Sequence, residues 1–329
     1  MPEIKKNINL KNYTTFKIGG DAEFFAEALN SEDLINLIKY SHKEKINLTI
    51  IGGGSNILIS DKGIKGLTII NRSKSIDIKE DIDINFDFQI GKPRYKEGDY
   101  FKFNDLDDDD KSYEKVLINV SSGVNLTYLI NETLSKGITG IQYFTAIPGS
   151  IGGAIFNNIH GGSKLIGDLV YKARLIDKKG NIKEVDNSFF KFDYDSSILH
   201  KEEYYLLDTE LILYKGNIEK AKNTAKEWIK RKRSIQPILP SAGSIFKNIT
   251  DQERDTISAP VNSAGWLIDN VGMKGYSIGG AKVYEKHANY IINMGFATQN
   301  DVSRLIEEIK DKVYKKFKIE LEEEIIFKQ

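Results

Sequence analysis

The residues of this chain best suited to chemistry are two glycine clusters and one serine. The first cluster is Ile50-Ile51-Gly52-Gly53-Gly54-Ser55-Asn56-Ile57-Leu58, where an apolar strand runs into three glycines and two small polar residues. Glycine adopts positive φ and lets a ligand approach the main chain. Successive free N–H groups in such a turn form a concavity that favours anions such as a pyrophosphate. The pattern is not the G-x-G-x-x-G dinucleotide fingerprint, and no Gly-Lys-Ser/Thr follows as in a P-loop. A tight turn between two strands accounts for it equally well. The second cluster, Ile147-Pro148-Gly149-Ser150-Ile151-Gly152-Gly153-Ala154, follows the apolar stretch from Ile141 to Ala146. Pro148 stiffens its entry. Two phosphate-cradling loops suit a dinucleotide lying extended between two small subdomains.

Ser244 stands in Ala242-Gly243-Ser244-Ile245-Phe246, whose small residues leave room for a substrate to reach its hydroxyl. A nucleophilic serine on the G-x-S-x-G elbow is ruled out because that pattern is missing. A serine that donates a proton needs only to lie near the atom that becomes basic, and an ordinary turn serine is the alternative. Asn248 can contact a ligand or cap the following turn. Near the C-terminus, strand alternation sets Ile319, Leu321, Ile325 and Phe327 on one face and Glu320, Glu322 and Glu324 on the other, which by itself describes a solvated acidic face.

Taken in order, the motifs Thr15-Phe16-Lys17-Ile18-Gly19-Gly20, Gly52 to Leu58, Ile147 to Ala154, Ala242 to Asn248, Ala264-Gly265-Trp266-Leu267-Ile268-Asp269, His287-Ala288-Asn289-Tyr290-Ile291-Ile292-Asn293 and Leu321-Glu322-Glu323-Glu324-Ile325 span nearly the whole chain. In this order they resemble the UDP-N-acetylenolpyruvoylglucosamine reductase family, flavoenzymes that make UDP-N-acetylmuramate for peptidoglycan. The resemblance implies an α+β fold: a PCMH/vanillyl-alcohol-oxidase-type FAD-binding domain of two subdomains and a C-terminal α+β substrate domain. It implies non-covalent FAD, since no His or Cys flanks either glycine loop, and NADPH as the reductant. Gly52, Gly53, Gly54, Ser55, Asn56, Ile57, Pro148, Gly149, Ser150, Gly152, Gly153 and Asn157 would hold the cofactor. Ser244 would protonate C2 of the enolpyruvyl group while hydride from the flavin reaches C3, and Glu324 would polarise the substrate. Gln236, Lys247, Asn248 and His287 would contact the substrate. The short interval from Asp195 to Ser244 fits the family's short form.

Two stretches depart from the family pattern. Tyr194-Asp195-Ser196-Ser197 carries Asp195 where the family has an arginine that stabilises the enolate. An ionised aspartate cannot donate a hydrogen bond, and losing a preorganised donor of this kind costs roughly a hundred- to a thousandfold in rate. Arg174 and His160 are the candidate replacements. The second departure, Asn157-Asn158-Ile159-His160-Gly161-Gly162, adds Asn158 and His160 beside the expected isoalloxazine pocket, and the two departures can be read as one compensated change. Asp195 also keeps rival readings open: a flavin oxidoreductase for another nucleotide sugar or alcohol, or a flavin-binding protein without turnover.

The rest of the chain must position these groups. Its 329 residues, 40% hydrophobic, suffice for two or three subdomains. Zero net charge gives no global basic field for nucleic acid. Without cysteine there are no disulfides or thiolate sites, and the four histidines have no metal-ligand spacing, so no metal is expected. With no apolar run near 18 residues and a polar N-terminus, a cytoplasmic monomer without membrane association is expected.

The expected domains are residues 1–70 and 71–215 for FAD and 216–329 for substrate, with the last strand, 319–329, able to return to the FAD domain. Residues 72–115, with Asp105 and Asp107 to Asp110, read as a solvated insertion lacking EF-hand spacing. Asn30 caps a helix, Asn125 to Lys136 form another with Gly137 as its αL cap, and Asp177 to Asn181 form a hairpin turn. Residues 217–233 are a charged helix whose Lys230-Arg231-Lys232-Arg233 end complements its dipole. Residues 299–317 give the clearest helix, with Thr298 and Asp301 as a capping box, and a strand from Ile319 to Phe327 closes the chain.

Overall fold

The computed structural model describes residues 1–80, 114–162 and 164–329. The chain divides into two units. The first comprises Met1–Ile4, Ala26–Gly53 and Ile69–Lys232, and the second Lys5–Phe25, Gly54–Thr68 and Arg233–Gln329. This differs from the expected division at 70 and 215. Segments 5–25 and 54–68 join the C-terminal region, and the first unit runs on to Lys232. The reason is apolar: Phe16, Ile18 and Leu58 are buried in one core with Ile245, Phe246, Leu267 and Leu305. Ile57–Ile59 also pairs in parallel with the last strand, Ile326–Lys328.

In the first unit, five antiparallel strands lie in the order Ile182–Asp186, Val170–Asp177, Tyr204–Tyr214, Lys115–Ser121, Ile76–Lys79. Tyr204–Tyr214 is central and buried along most of its length, as a strand covered on both faces must be. Val116, Ile118 and Val120 pack with Leu129 and Ile130 of the helix Leu126–Ser135. Asn125 caps that helix by accepting from the Tyr128 amide at 3.1 Å, and Gly137 beyond it has φ +75°. Asn30 accepts from the Asp33 amide at 2.8 Å to start the helix Ser31–Lys43. Asp177 accepts from the Lys179 and Asn181 amides and so shapes the expected hairpin. The stretch expected as an insertion begins instead with a sheet strand, Ile76–Lys79. Asp105 and Asp107 to Asp110 lie outside the described residues.

In the second unit, four antiparallel strands lie in the order Ser241–Ser244, Tyr290–Asn293, Ala281–Val283, Ser277–Ile278. The helix Gln299–Phe317 covers the core with Val302, Leu305, Ile306, Ile309 and Val313, and Thr298 and Asp301 form its capping box. The closing strand is shorter than expected. Only Ile326–Lys328 is a strand, and Phe327 is exposed. Upstream, the chain bonds to the segment after Ser244: the Lys247 amide donates to the Glu322 carbonyl at 2.9 Å, and the Glu324 amide to the Ile245 carbonyl at 2.8 Å. Ile319, Leu321 and Ile325 are buried, as alternation predicts. Among the described residues, no helix is long and apolar enough to cross a membrane.

Candidate active site

Ser244 is placed by a bulge. Ser241 pairs with Ile292 and Ser244 with Tyr290, so three steps along one strand oppose two along the other. Gly243 takes up the extra residue at φ +84°, a conformation open to glycine at little cost. The bulge sets Ser244 directly across from Tyr290. Beyond Ser244 the backbone leaves the strand and is held by a side chain. Asn289, 4% exposed, accepts from the Phe246 amide at 3.0 Å and donates to its carbonyl at 2.8 Å. The Asn289 carbonyl also accepts from the Ile245 amide at 2.9 Å. Thr15 anchors the other end by donating to the Ser241 carbonyl at 2.7 Å.

Around Ser244, the second unit gathers several polar groups. Ser244 is paired with Tyr290 across the strands, and Gln236 Nε2 donates to the Tyr290 phenol at 3.4 Å. The His287 ring stands edge-on to the Tyr290 ring, with centroids 4.8 Å apart. Burial lowers the pKa of His287, which favours the neutral ring, and its Nδ1 is buried with no partner among the described residues. The three consecutive glutamates separate. Glu322 pairs with Lys247, and Glu323 bonds Lys310 at 2.8 Å. Glu324 acts on Tyr290: burial first, then the Glu324 charge, raises the pKa of the phenol. Glu322 and Glu323 thus have lysine partners, and Glu324 is the glutamate whose charge reaches Tyr290, the residue paired with Ser244. Lys247 is drawn to Glu322, and Asn248 Oδ1 accepts from the Ala264 amide at 3.2 Å, which starts the helix Ala264–Asn270. Asn248 thus satisfies the first amide of that helix, whose N-cap is Ser263.

In the first unit the two glycine loops touch. A Cβ on Gly52 would lie 2.1 Å from Ser150 Oγ, and one on Gly53 2.6 Å from the Gly149 Cα. The expectation that the second loop exposes all its amides is corrected here. The Gly152 amide donates to the Ser122 carbonyl at 2.7 Å and the Gly153 amide to Ser150 Oγ at 3.3 Å, because they open the helix Ile151–Asn157. The amides of Gly52, Gly53, Gly149 and Ser150 have no partner among the described residues. Asn157, half-buried at the helix end, has a side chain without a partner among them as well. The chain enters the second unit at Gly54. There Asn56 Nδ2 donates to the Glu324 carbonyl at 3.1 Å and Ile57 pairs with Ile326, so both residues secure the C-terminal strand.

A family model, the C-terminal domain of UDP-N-acetylenolpyruvoylglucosamine reductase, matches residues 235–328. The reductase of that name from Caldanaerobacter subterraneus subsp. tengcongensis is 36% identical across 97% of this chain and 91% of its own length. The one from Prochlorococcus marinus subsp. pastoris is 34% identical across 98% of this chain and 95% of its own. This chain belongs to the UDP-N-acetylenolpyruvoylglucosamine reductase family. Its α+β fold is that of the Thermus caldophilus UDP-N-acetylenolpyruvylglucosamine reductase crystal structure, with a TM-score of 0.72 at 23% identity over 100% of this chain and 99% of that one.

The residues present fit the FAD that this family implies. A pyrophosphate is an anion that needs N–H donors, and the contact between the glycine loops offers four open amides where any Cβ on Gly52 or Gly53 would intrude. At the family's arginine position, Asp195 is 7% exposed at φ +46°, in a turn closed by mutual Asp193–Ser196 backbone bonds. Its Oδ1 lies 3.2 Å from His160 Nδ1, and its Oδ2 is buried without a partner among the described residues. Tyr194 stacks on the His160 ring, with centroids 5.4 Å apart. Arg174 does not replace the lost arginine. It forms a bidentate pair with Asp208 on the neighbouring strand, which raises its pKa. Nor is Asn158 a pocket group: it is fully buried, accepting from the Gly167 amide at 2.9 Å and donating to the Asp193 carbonyl at 2.8 Å.

Sequence reasoning missed Tyr290 and the clamp formed by Asn289. Both lie in a motif noted only for its resemblance, and the pairing of Tyr290 with Ser244 depends on a bulge that alternation cannot show. Gly243→Ala should cost about 1–2 kcal/mol, the price of a non-glycine residue in the left-handed region, and should displace Ser244. Asn289→Ala should cost roughly 2–4 kcal/mol by stranding two buried backbone groups. Denaturant unfolding measures both, and unchanged stability in either variant would refute the corresponding role.

Proposed function

We propose that this chain reduces UDP-N-acetylenolpyruvoylglucosamine to UDP-N-acetylmuramate in peptidoglycan precursor synthesis, with FAD as cofactor and NADPH as electron donor. Identity of 36% along 97% of the chain with a reductase of that name carries the reading. When bound, FAD supplies two-electron chemistry that amino-acid side chains lack. The open amides of Gly52, Gly53, Gly149 and Ser150 hold its pyrophosphate, and the unpartnered Asn157 side chain contacts it further along. In the second unit Ser244 delivers the proton to C2 of the enolpyruvyl group, and Glu324 polarises the substrate. Gln236 and His287, on either side of Tyr290, contact the substrate. His287 does so as a neutral ring, using its open Nδ1. Lys247 reaches a substrate phosphate by leaving Glu322. The protein works as a monomer in the cytoplasm, where its nucleotide substrates are held.

The role of the family arginine passes to His160. Asp195 orients the ring through Nδ1, 3.2 Å from its Oδ1, which leaves Nε2 as the ring atom for the substrate. This pairing supports the reductase reading over a different substrate, because a polar ring lies beside the residue that stands where the family has an arginine.

The assay is anaerobic. The purified protein should be yellow, be bleached by NADPH, and regain its colour with UDP-N-acetylenolpyruvoylglucosamine. Failure of the last step would leave only a flavin-binding protein or another substrate. Ser244→Ala should leave bleaching by NADPH nearly unchanged and slow recolouring by roughly two to four orders of magnitude. Equal slowing of both half-reactions would make Ser244 structural. His160→Gln should slow recolouring about a hundredfold or more. Recolouring at the rate of the unmodified protein in His160→Gln would contradict the assignment of His160.

A further inference from the structure

We propose that the Tyr290 phenol is a positioning residue that resupplies the proton of Ser244, so that Ser244 acts as the end of a two-hydroxyl relay. This inference rests on the reading of Ser244 as the proton donor.

The geometry has three parts. First, Ser244 and Tyr290 are directly opposed across antiparallel strands, a register set by the Gly243 bulge. Opposed side chains in such a pair lie on one face within reach of each other. Second, Gln236 donates to the phenol oxygen at 3.4 Å. A tyrosine hydroxyl has one proton to give. With Gln236 donating to the oxygen, the phenol proton remains available to an acceptor, and Ser244 is the residue directly opposite. Third, the ring is held in place, edge-on to His287 at 4.8 Å and carried on a strand that pairs on both sides.

The chemistry then balances. The hydrogen and electron pair for C3 would be supplied by NADPH and FAD, the established reaction of the family. The Ser244 O–H bond breaks and a C2–H bond forms. The Tyr290 O–H bond breaks and the Ser244 O–H bond re-forms. The phenolate takes a proton from solvent once the product has left. A serine alkoxide is far more basic than a phenolate, so proton transfer from tyrosine to serine runs downhill. Burial and the Glu324 charge both disfavour the phenolate. The relay therefore returns to its neutral resting state and does not stall after one turnover.

Tyr290→Phe removes only the hydroxyl and keeps the ring against His287, so thermal unfolding should be unchanged. Anaerobic reduction by NADPH should proceed at the rate of the unmodified protein. Reoxidation by UDP-N-acetylenolpyruvoylglucosamine should slow about ten- to a hundredfold, and its solvent deuterium effect should increase as Ser244 loses its partner. In a Ser244→Ala background, adding Tyr290→Phe should slow reoxidation no further, because Tyr290 acts only through Ser244. If Tyr290→Phe reoxidises at the normal rate while Ser244→Ala is slow, the relay is wrong and the role of Ser244 stands. If Ser244→Ala is itself fast, the reading of Ser244 falls and the relay with it. An additive double variant would give Tyr290 an independent role and overturn the proposal.

Discussion

A single side-chain amide holds the reactive end of the second unit in place. Asn289 bonds both backbone groups of Phe246 and, through its own carbonyl, the Ile245 amide. It therefore substitutes for a neighbouring strand where the sheet has already ended. Such a substitute is needed because Phe246 is buried at 1% exposure, and its peptide groups cannot turn to water. With Phe246 fixed, Ile245 can bond the Glu324 amide and Lys247 the Glu322 carbonyl. Ser244 and Glu324, eighty residues apart in sequence, are positioned by this one segment.

The same constraint explains how the chain is partitioned. The core beneath Ile245 and Phe246 is completed by Phe16, Ile18 and Leu58 from the N-terminal region and by Ile319, Leu321 and Ile325 from the far end. A C-terminal region beginning near residue 216 would lack the first group and leave buried apolar positions open. Thr15 and Asn293 reinforce the arrangement with polar bonds. Thr15 donates to the Ser241 carbonyl, and Asn293 Nδ2 donates to the Phe16 carbonyl at 3.0 Å. Several motif residues that suggest ligand binding when read in sequence thus serve backbone groups of this core.

Periodicity and caps revealed the local elements well. The helices starting at Asn30, Asn125 and Thr298 begin where their side-chain oxygens meet backbone amides, because capping is a contact over three residues. The final strand was overextended from alternation alone. Ile319 and Leu321 are buried as a strand face would be, yet the backbone bonds of the neighbouring Glu322 and Glu324 go to an irregular segment. Long-range facts were hidden for the same reason. Nothing local shows that Glu322 and Glu323 have lysine partners, that Arg174 is committed to Asp208, or that the Gly152 and Gly153 amides are used within the chain. The ambiguity among three adjacent glutamates could be settled only by where the lysines lie.

Asp195 and His160 meet in the structure. A buried carboxylate without a partner carries a large desolvation penalty, and at this position arginine would be the easier residue to place near a developing negative charge. The turn from Asp193 to Ser196 points the side chain of residue 195 inward, toward the segment that also departs from the family pattern. There His160 supplies an imidazole 3.2 Å away. Each substitution alone would be costly: the aspartate would lie buried and unpaired, and the histidine would have no group to fix its ring. Together they form one contact between the two stretches that depart from the family pattern. The cost of the exchange remains visible in Asp195 Oδ2, which is buried and without a partner among the described residues.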